Sequence, residues 1–297
     1  MNLAPIVLFT YNRLNHTQQT VAALQKNHLA LESNLYIYSD GPKNDTATES
    51  VTAVRSYLKT ITGFQSITII ERDTNWGLAD SIVDGVTTVV QKYGKIIVLE
   101  DDIVTSPLFL QYMNDALALY EKDKQVMHIS GYFYPVATNQ LPDTFFYNQT
   151  SCWGWSTWAS AWSSYNGDAK ELLGKITEAG RLNEFDMDGN FKFSSTLRAN
   201  IRSDIKTWAI KWHASVFIKQ GLCLHPKLSL TQNIGNDGTG TNAQQSNRYN
   251  TDLEEQIVLP IQRTSLKQSN VALGLVKKFL KATRPSMIQK IINKVWK

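Results

Sequence analysis

The feature that most constrains the fold is an alternation of two hydrophobic periodicities along the first 135 residues. Short runs rich in Ile, Val, Leu and Tyr, several of them apolar throughout, predict β-strands buried on both faces. Longer runs with apolar residues three and four apart predict amphipathic helices between them. The predicted strands cover residues 5–11, 35–39, 67–71, 95–99 and 127–130, and the predicted helices cover residues 16–26, 46–58, 78–92 and 107–122.

This order of elements predicts an α/β fold, because a strand, a helix and a further strand in succession form a right-handed crossover between parallel strands. We expect a mostly parallel, Rossmann-like sheet flanked by helices, with ligands at the carboxyl ends of the strands. Ser106 and Pro107 predict the start of the fourth helix, as a capping residue and a proline at the first helical position. The sequence contains no GxGxxG and no Walker-type phosphate loop, so it indicates neither a dinucleotide-binding domain nor a P-loop ATPase.

Charge is distributed unevenly along the chain. Of its 30 Lys and Arg residues, nine follow Glu255, beyond which no Asp or Glu occurs, so the rest of the chain is net acidic. A net acidic body does not favour nucleic acid as a partner. No run approaches the roughly 18 consecutive apolar residues of a membrane-spanning helix. The two cysteines, Cys152 and Cys223, are too few for a disulfide framework and indicate a reducing compartment.

The basic tail has an amphipathic pattern. Apolar residues at 275, 276, 279 and 280 share one helical face, and the pattern resumes over residues 287–296 with lysines beside it. Such a helix suits the surface of an anionic membrane leaflet; the alternative is a C-terminal helix that docks on the core. We expect one domain over residues 1–262 and a basic amphipathic tail over residues 263–297, in a cytoplasmic protein peripheral to the inner face of the membrane.

Three adjacent carboxylates, Glu100, Asp101 and Asp102, follow the fourth predicted strand. Hard oxygen ligands of this kind suit Mn²⁺ or Mg²⁺, whose coordination is often completed by substrate phosphates. Strand alternation places Glu100 and Asp102 on one face and Asp101 on the other. The alternative is an acidic turn that caps the next helix, whose positive dipole end favours negative charge.

The other strand ends are polar as well. The first strand leads to Thr10, Tyr11 and Arg13, and Arg13 is suited to a phosphate. The second leads to Asp40, which could accept from a base or a ribose, and the third leads to Trp76 in a flexible turn. These ends jointly suit a base, a sugar and a diphosphate.

Six short motifs stand out along the chain: PIVLFTYNR, YSDGP, NWGLADS, VLEDDI, CWGWSTW and GLCLHPKLSLTQNIGNDGTGTN. In these motifs the sequence resembles bacterial glycosyltransferases of the GT-A fold, and is similar to the group related to N-acetylglucosaminyltransferase I. The resemblance covers roughly residues 4 to 245 and implies a metal-dependent transferase that moves a sugar from a nucleoside-diphosphate-sugar to a glycan or lipid-linked glycan, such as a capsule or lipopolysaccharide precursor.

By this resemblance Asp102 would bind the metal, with Glu100 and Asp101 near the donor sugar and ribose. Arg13 would meet the diphosphate and Asp40 the base. The resemblance also implies a pocket for the acceptor and donor sugar, and a loop over residues 235–242 that closes on the donor with one residue near a phosphate; these parts are assigned to Trp153, Gly154 and Trp155 for the pocket and Thr241 for the loop.

Two departures from the family pattern affect the catalytic residues. Relatives often carry Trp-Asp-x-x-Trp where this chain has Ala209 after Trp208, so the usual candidate for the general base is absent. Asn242 stands where relatives often have a histidine. We take Asp204, one turn before Trp208, together with Glu100 as catalytic candidates, with Asp237 as a weaker one; the alternative for Asp204 is a solvated carboxylate.

Two other function classes stay open. A nucleotidyltransferase would also hold a nucleotide and a metal on such a sheet, although it ordinarily has a Gly-rich first loop with Lys or Arg. A non-catalytic sugar-binding relative of a transferase is favoured by Ala209 and Asn242.

Overall fold

The computed structural model describes residues 3–238, 246–253 and 259–283. In chain order, the strands of these residues are β1 Ile6–Thr10, β2 Asn34–Ser39, β3 Ser66–Glu71, β4 Lys95–Glu100, β5 Ile103–Thr105, β6 Val126–Ser130, β7 Thr144–Tyr147, β8 Trp155–Trp158, β9 Leu222–Pro226 and β10 Thr231–Asn233. The helices are α1 Leu14–Gln25, α2 Asp45–Leu58, α3 Leu78–Tyr93, α4 Phe109–Leu119, α5 Ala159–Trp162, α6 Ala169–Glu178, α7 Leu182–Phe185, α8 Phe193–Ile201, α9 Ala209–Ile218 and α10 Asn270–Ala282.

An eight-stranded sheet in the order β3-β2-β1-β4-β8-β6-β9-β7 forms the centre of the molecule. Strands β3, β2, β1 and β4 are mutually parallel. β8 runs antiparallel to both β4 and β6, so β6 and its parallel neighbour β9 point the same way as β1. The predicted α/β fold with a mostly parallel sheet flanked by helices is confirmed.

The sheet is covered on both faces because alternate residues of its central strands enter separate cores. Ile6 and Leu8 pack with apolar residues of α1, α2 and α4. Val7 and Phe9 point to the other face, against α3 and α9. Both sets are buried, which explains why the strand reads as a continuous apolar run.

The strands and helices predicted over the first half of the chain are present, with ends shifted by a few residues. The predicted start of the fourth helix is wrong by two residues. Leu108 is the N-cap of α4 and has no side-chain capping bond, while the Ser106 hydroxyl accepts from the amide of Leu108 in a turn before the helix. Ser106 is fully buried, and its amide donates to the carbonyl of Leu230 at 2.8 Å, which holds this turn against the segment before β10.

The second half contains strands that periodicity did not reveal. Residues 155–158 form β8 between β4 and β6. Trp158 and Trp162 are each 5% exposed and pack inward. Residues 231–233 form β10, which pairs antiparallel with β5.

Helix α10 uses its apolar side within the protein. Ala272, Val276 and Leu280 are buried in a cluster with aromatic residues of β7, and Lys277 Nζ lies 2.6 Å from Asp188 Oδ2. This part of the tail therefore docks on the rest of the protein, which is the alternative to membrane contact given above. The second apolar run, residues 287–296, lies outside the described residues. Within the described ranges no helix has the length and apolarity to cross a membrane.

Candidate functional site

The carboxyl ends of four neighbouring parallel strands bring the predicted polar residues to one edge of the sheet. Thr10 pairs in register with Ser39, and Ser39 pairs with Glu71. On the other side of β1, Phe9 pairs with Glu100. The segments that follow these strands therefore leave the sheet side by side, which is the usual ligand-binding edge of a parallel sheet.

Arg13 lies between two of the predicted carboxylates. Its Nη2 atom donates to Asp101 Oδ1 and, at 2.7 Å, to Asp102 Oδ2. The Thr20 hydroxyl of α1 donates to the carbonyl of Asp101 at 2.8 Å, which ties the helix after Arg13 to the turn after β4. Arg13 and the adjacent Asp101 and Asp102, which lie almost ninety positions further along the chain, thus form one ion-pair network.

The arrangement of the acidic triplet differs from the alternation predicted for it. Asp101 and Asp102 contact the same guanidinium, so they do not point to opposite faces of a strand. The reason is that β4 ends at Glu100 and the next two residues form a turn, where the two-residue periodicity of a strand no longer applies.

The network concentrates negative charge. Burial, together with the carboxylates of Asp102 and Asp101, raises the pKa of Glu100 to about 8. Burial also raises the pKa of Asp101 to about 6, although Arg13 opposes this rise. Burial disfavours the charge on Arg13, but the two aspartates outweigh it and raise the pKa of the guanidinium. The charged forms of Glu100 and Asp101 are thus disfavoured beside a single guanidinium, which is the electrostatic condition that favours a further cation.

A backbone segment after β10 covers this network. The amide of Ile234 donates to the carbonyl of Asp102 at 2.9 Å. A Cβ atom on Gly235 would lie 2.1 Å from Asp102 Oδ2 and 2.9 Å from Arg13 Nη1, so only glycine allows the backbone to pass this close. Two residues further on, Asp237 Oδ2 lies 3.1 Å from His16 Nε2 on α1. The described part of the predicted closing loop therefore lies against the acidic cluster, whereas Thr241 falls outside the described residues.

Asp40 organises the loop between β3 and α3. Its Oδ1 accepts from the amides of Gly41 (3.0 Å) and Trp76 (2.8 Å). Its Oδ2 accepts from the Asn75 side chain (3.0 Å) and the amide of Gly77 (2.8 Å). These four donors use the lone-pair directions of a carboxylate, so Asp40 as the structure places it holds the loop and has no spare acceptor for a base.

Trp76 projects from this loop with 43% of its surface exposed. The guanidinium of Arg72 covers one face of the indole, and Arg72 Nη2 lies 2.6 Å from Asp84 Oδ2. Sequence reasoning missed Arg72, although it directly follows the last residue of β3, because the strand-end argument for this strand singled out Trp76 instead. Cation–π contact with the buried Arg72 fixes the ring and leaves its other side open to a ligand.

The two remaining residues predicted after β1 have different surroundings. Thr10 is buried, and its hydroxyl donates to the carbonyl of Tyr38 at 3.4 Å. Tyr11 is partly exposed, and its hydroxyl accepts from the amide of Lys43 at 3.1 Å. Tyr11 is therefore the accessible member of the pair, while Thr10 belongs to the sheet.

The Trp153-Gly154-Trp155 segment is only partly available to a ligand, which corrects the expectation that all three residues line a pocket. Trp155 is 1% exposed and stacks on Trp208, because β8 is a central strand whose side chains enter the core. Gly154 is buried, and a Cβ there would lie 2.7 Å from Thr231. Trp153 is partly exposed and meets the ring of Tyr132 edge to face at 4.6 Å between centroids.

Asp204 lies in the loop between α8 and α9. Its carboxylate is half exposed and lies 2.7 Å from Arg202 Nη2. Lys206 of the same loop forms an ion pair with Asp80 in the first turn of α3, next to the Trp76 loop. The loop that carries Asp204 therefore reaches the rim of the site, but none of the contacts of the described residues joins Asp204 to the acidic triplet.

The residues present fit a divalent cation that is held jointly with a phosphate ligand. Within the described ranges, no three His, Cys, Asp or Glu side chains are arranged to hold a metal by themselves. Asp102 Oδ1, however, is buried without a hydrogen-bond partner among those residues. One carboxylate, completed by phosphate oxygens and water, is a common way for Mg²⁺ to bind in proteins.

A cavity of about 370 Å³ opens at the same edge of the sheet, beyond the carboxyl ends of β6 and β9. Gln232 of β10 lines it, three residues before Gly235. The cavity combines an aromatic ring with hydroxyl, amide and charged groups, a mixture suited to a polar ligand. The other residues of this type in its lining are Phe133, Tyr134, Thr138, Lys227, Ser229, Asn250, Thr251 and Asp252.

No protein family matches the sequence, and no curated protein matches it. The structure is similar to that of the mannosyltransferase PcManGT from Pyrobaculum calidifontis in complex with GDP-Man and Mn²⁺, at 13% identity and a TM-score of 0.37, over 59% of this chain and 49% of that one. It is also similar to S. aureus TarS, at 13% identity and a TM-score of 0.30, over 43% of this chain and 21% of that one. For TarS 1–349 the identity is 12%, the TM-score 0.36 and the coverage 52% and 47%. This chain thus spans less than half the length of each, and likenesses at these TM-scores assign neither function nor substrate.

Proposed function

We propose that this chain is a nucleotide-sugar-dependent glycosyltransferase of the GT-A fold, related to the N-acetylglucosaminyltransferase I group. The observation that carries the proposal is the meeting of Arg13, Asp101 and Asp102 at the carboxyl edge of the sheet, where the loop after β3 also presents the exposed ring of Trp76. A cation, paired carboxylates and an aromatic face along one edge match the diphosphate, ribose and base of a nucleotide donor.

The donor is expected to lie along the ends of β3, β2, β1 and β4 in that order. The open face of Trp76 supports the base by stacking, and Tyr11 lies between this loop and the acidic cluster. Asp40 acts as a positioning residue, because its four hydrogen bonds hold the Trp76 loop. Arg13 supplies positive charge to the diphosphate of the donor. The segment around Gly235 covers the diphosphate and keeps water away from it.

Asp102 is the residue that would hold Mn²⁺ or Mg²⁺, through the buried Oδ1 atom that has no partner among the described residues. When bound there, a divalent cation neutralises the charge that develops on the departing diphosphate. Asp101 accepts from Arg13 and is expected near the ribose of the donor.

The acceptor is expected on the other half of the same edge. β6 and β9 point the same way as β4, so the cavity beyond their carboxyl ends lies across the acidic cluster from the Trp76 loop. Its aromatic, amide and hydroxyl lining is typical of carbohydrate sites. Trp153, partly exposed near β10, lies between the two halves and is available to the donor or acceptor sugar.

Two carboxylates are candidates for the catalytic base. Glu100 is the last residue of β4 and directly precedes Asp101 and Asp102. Asp204 stands on a loop at the rim and needs that loop to move inward. The acceptor class, a lipid-linked precursor of capsule or lipopolysaccharide, rests on the family resemblance, and we assign the expected membrane contact to residues 284–297, since α10 uses its apolar side within the protein.

The test is turnover with a panel of nucleotide-sugars and Mn²⁺, detected as released nucleoside diphosphate. We expect release of nucleoside diphosphate with at least one donor and loss of this release in Asp102→Ala. The control variant Asp73→Ala, at an exposed aspartate, should keep wild-type turnover. Release of pyrophosphate from a nucleoside triphosphate would favour a nucleotidyltransferase instead. Nucleotide binding without turnover of any donor would favour a non-catalytic relative.

A further inference from the structure

We infer that Arg13 is an internal competitor of the metal ion: it occupies the carboxylates of Asp101 and Asp102 until a nucleoside diphosphate draws it away. This inference rests on the proposed function. It predicts that the site takes up a divalent cation poorly when empty and well when a diphosphate is present. The increase in metal affinity on nucleotide binding would then arise partly from the movement of Arg13 and not only from metal–phosphate contacts.

The first ground is the position of the guanidinium. A single nitrogen, Nη2, bridges Asp101 Oδ1 and Asp102 Oδ2, which places the positive charge between the two carboxylates. A divalent cation on Asp102 Oδ1 would be held by one of the same two carboxylates. It would then lie within a few ångströms of the guanidinium in a partly buried site, where two positive charges repel each other strongly.

The second ground is the pair of polar atoms that this arrangement leaves without partners among the described residues. Arg13 Nη1 and Asp102 Oδ1 are both buried, and neither has a hydrogen bond. An unpaired buried donor and an unpaired buried acceptor on the same ion pair are costly. Both are satisfied if Arg13 turns toward a phosphate oxygen and Asp102 receives a cation.

The third ground is the cover over the pair. The backbone at Gly235 passes so close to Asp102 Oδ2 that a Cβ would overlap it, and the amide of Ile234 bonds to the carbonyl of Asp102. The same Cβ would lie 2.9 Å from Arg13 Nη1, so the cover confines Arg13 and the Asp102 carboxylate to one small space. Movement of Arg13 toward a diphosphate makes room there for a cation at Asp102.

The experiment measures Mn²⁺ binding directly, from the loss of the electron paramagnetic resonance signal of free Mn²⁺, without nucleotide and with saturating UDP, GDP, ADP or dTDP. We expect the wild-type protein to bind Mn²⁺ weakly alone. We expect Arg13→Gln, which removes the charge but keeps a hydrogen-bonding amide, to bind Mn²⁺ alone about 5- to 150-fold more tightly than the wild type, the usual range of coupling between two sites.

Controls separate competition from general effects of charge or folding. Arg181→Gln removes an arginine that pairs with a carboxylate, Glu184, away from the site, and should leave Mn²⁺ affinity unchanged. Arg13→Lys keeps the charge but loses the planar fork, so it should raise Mn²⁺ affinity by less than Arg13→Gln does. Circular dichroism reports whether each variant is folded, and Arg13→Lys serves in place of Arg13→Gln if the latter does not fold.

Equal Mn²⁺ affinity of the wild type and the folded Arg13 variant, measured without nucleotide, overturns the inference. If the wild type binds a nucleoside diphosphate while that equality holds, only the inference fails and the proposed function stands. If the wild type binds none of the nucleotides, with or without Mn²⁺, the proposed function fails as well.

Discussion

The central guanidinium carbon of Arg72 lies 3.6 Å from the centroid of the Trp76 indole ring. The same arginine lies 5.3 Å from the ring centroid of Tyr38, so its cation stands between two aromatic faces. An ion pair with Asp84 adds a third contact. An exposed tryptophan held in this way is a rigid surface at the edge of the sheet, ready for a flat ligand without further ordering.

Replacing Trp76 by alanine should weaken nucleotide binding. Stacking of a base on an aromatic side chain contributes about 1–3 kcal/mol, so the Kd for the preferred nucleoside diphosphate should rise roughly 5- to 150-fold. Isothermal titration calorimetry measures the change. Trp76→Phe should retain most of the affinity, and Leu31→Ala, at a surface residue that is 75% exposed, should have no effect. Unchanged affinity in Trp76→Ala would show that the nucleotide base does not stack on Trp76.

Replacing Asp40 by asparagine should loosen the Trp76 loop. The asparagine side chain has one acceptor oxygen, and its NH2 group would face the two donors that the other carboxylate oxygen now binds. Two of the four hydrogen bonds are therefore lost. The free energy of unfolding should fall by about 1–3 kcal/mol in urea titrations, and nucleotide affinity should fall with it. Asp73→Asn is the matched control on the same stretch of chain, where the carboxylate is exposed. Wild-type stability of Asp40→Asn would show that the loop does not depend on these bonds.

Replacing Gly235 by alanine should disturb the acidic cluster. The new Cβ would lie 2.1 Å from Asp102 Oδ2, so the carboxylate or the covering segment has to move. Displacement of a catalytic group by about 1 Å can cost on the order of 100-fold in rate, and we expect a loss of that size in donor turnover. Gly274→Ala, in α10 with no atom within 4 Å of the new Cβ, should keep turnover and stabilise the helix by up to about 1 kcal/mol. Similar turnover in the two variants would contradict a close cover at Gly235.

Three buried histidines should make the protein sensitive to acid. Burial lowers the pKa of His128 to about 3, that of His213 to about 3 and that of His225 to about 4. In the unfolded chain each has a pKa near 6.5, so below that pH the unfolded state binds more protons than the folded state. Stability should therefore fall as the pH falls from about 6.5, by up to about 1.4 kcal/mol per pH unit for each histidine.

Urea titrations between pH 7 and pH 5 test this dependence on single variants. His213→Gln removes one of the three groups, so its stability should depend less steeply on pH than that of the wild type, whatever its absolute value. His28→Gln, at an exposed histidine, should leave the slope unchanged. An identical slope in the wild type and His213→Gln would show that His213 is not the proton acceptor assumed here.

Much of the site could be predicted because it follows directly from strand ends. Arg13 and the carboxylates of residues 100–102 each come just after a strongly apolar run, and parallel strands bring their carboxyl ends together. Arg72 was missed although the same rule applies to it. The Trp155 prediction was wrong because a tryptophan motif looks the same in a sequence whether its rings line a pocket or enter a central strand.

Local periodicity by itself determined the strands and helices of the first half, the mixed α/β class and the edge at which polar residues would gather. Only the tertiary structure decided which carboxylates pair with Arg13. The turn after β4 places Asp101 and Asp102 on its guanidinium, and the segment after β10 places Gly235 against them. The docking of α10 was decided in the same way. The physical reason is range, since periodicity depends on neighbours a few residues apart, whereas ion pairs and cover depend on the order of strands that are distant in sequence.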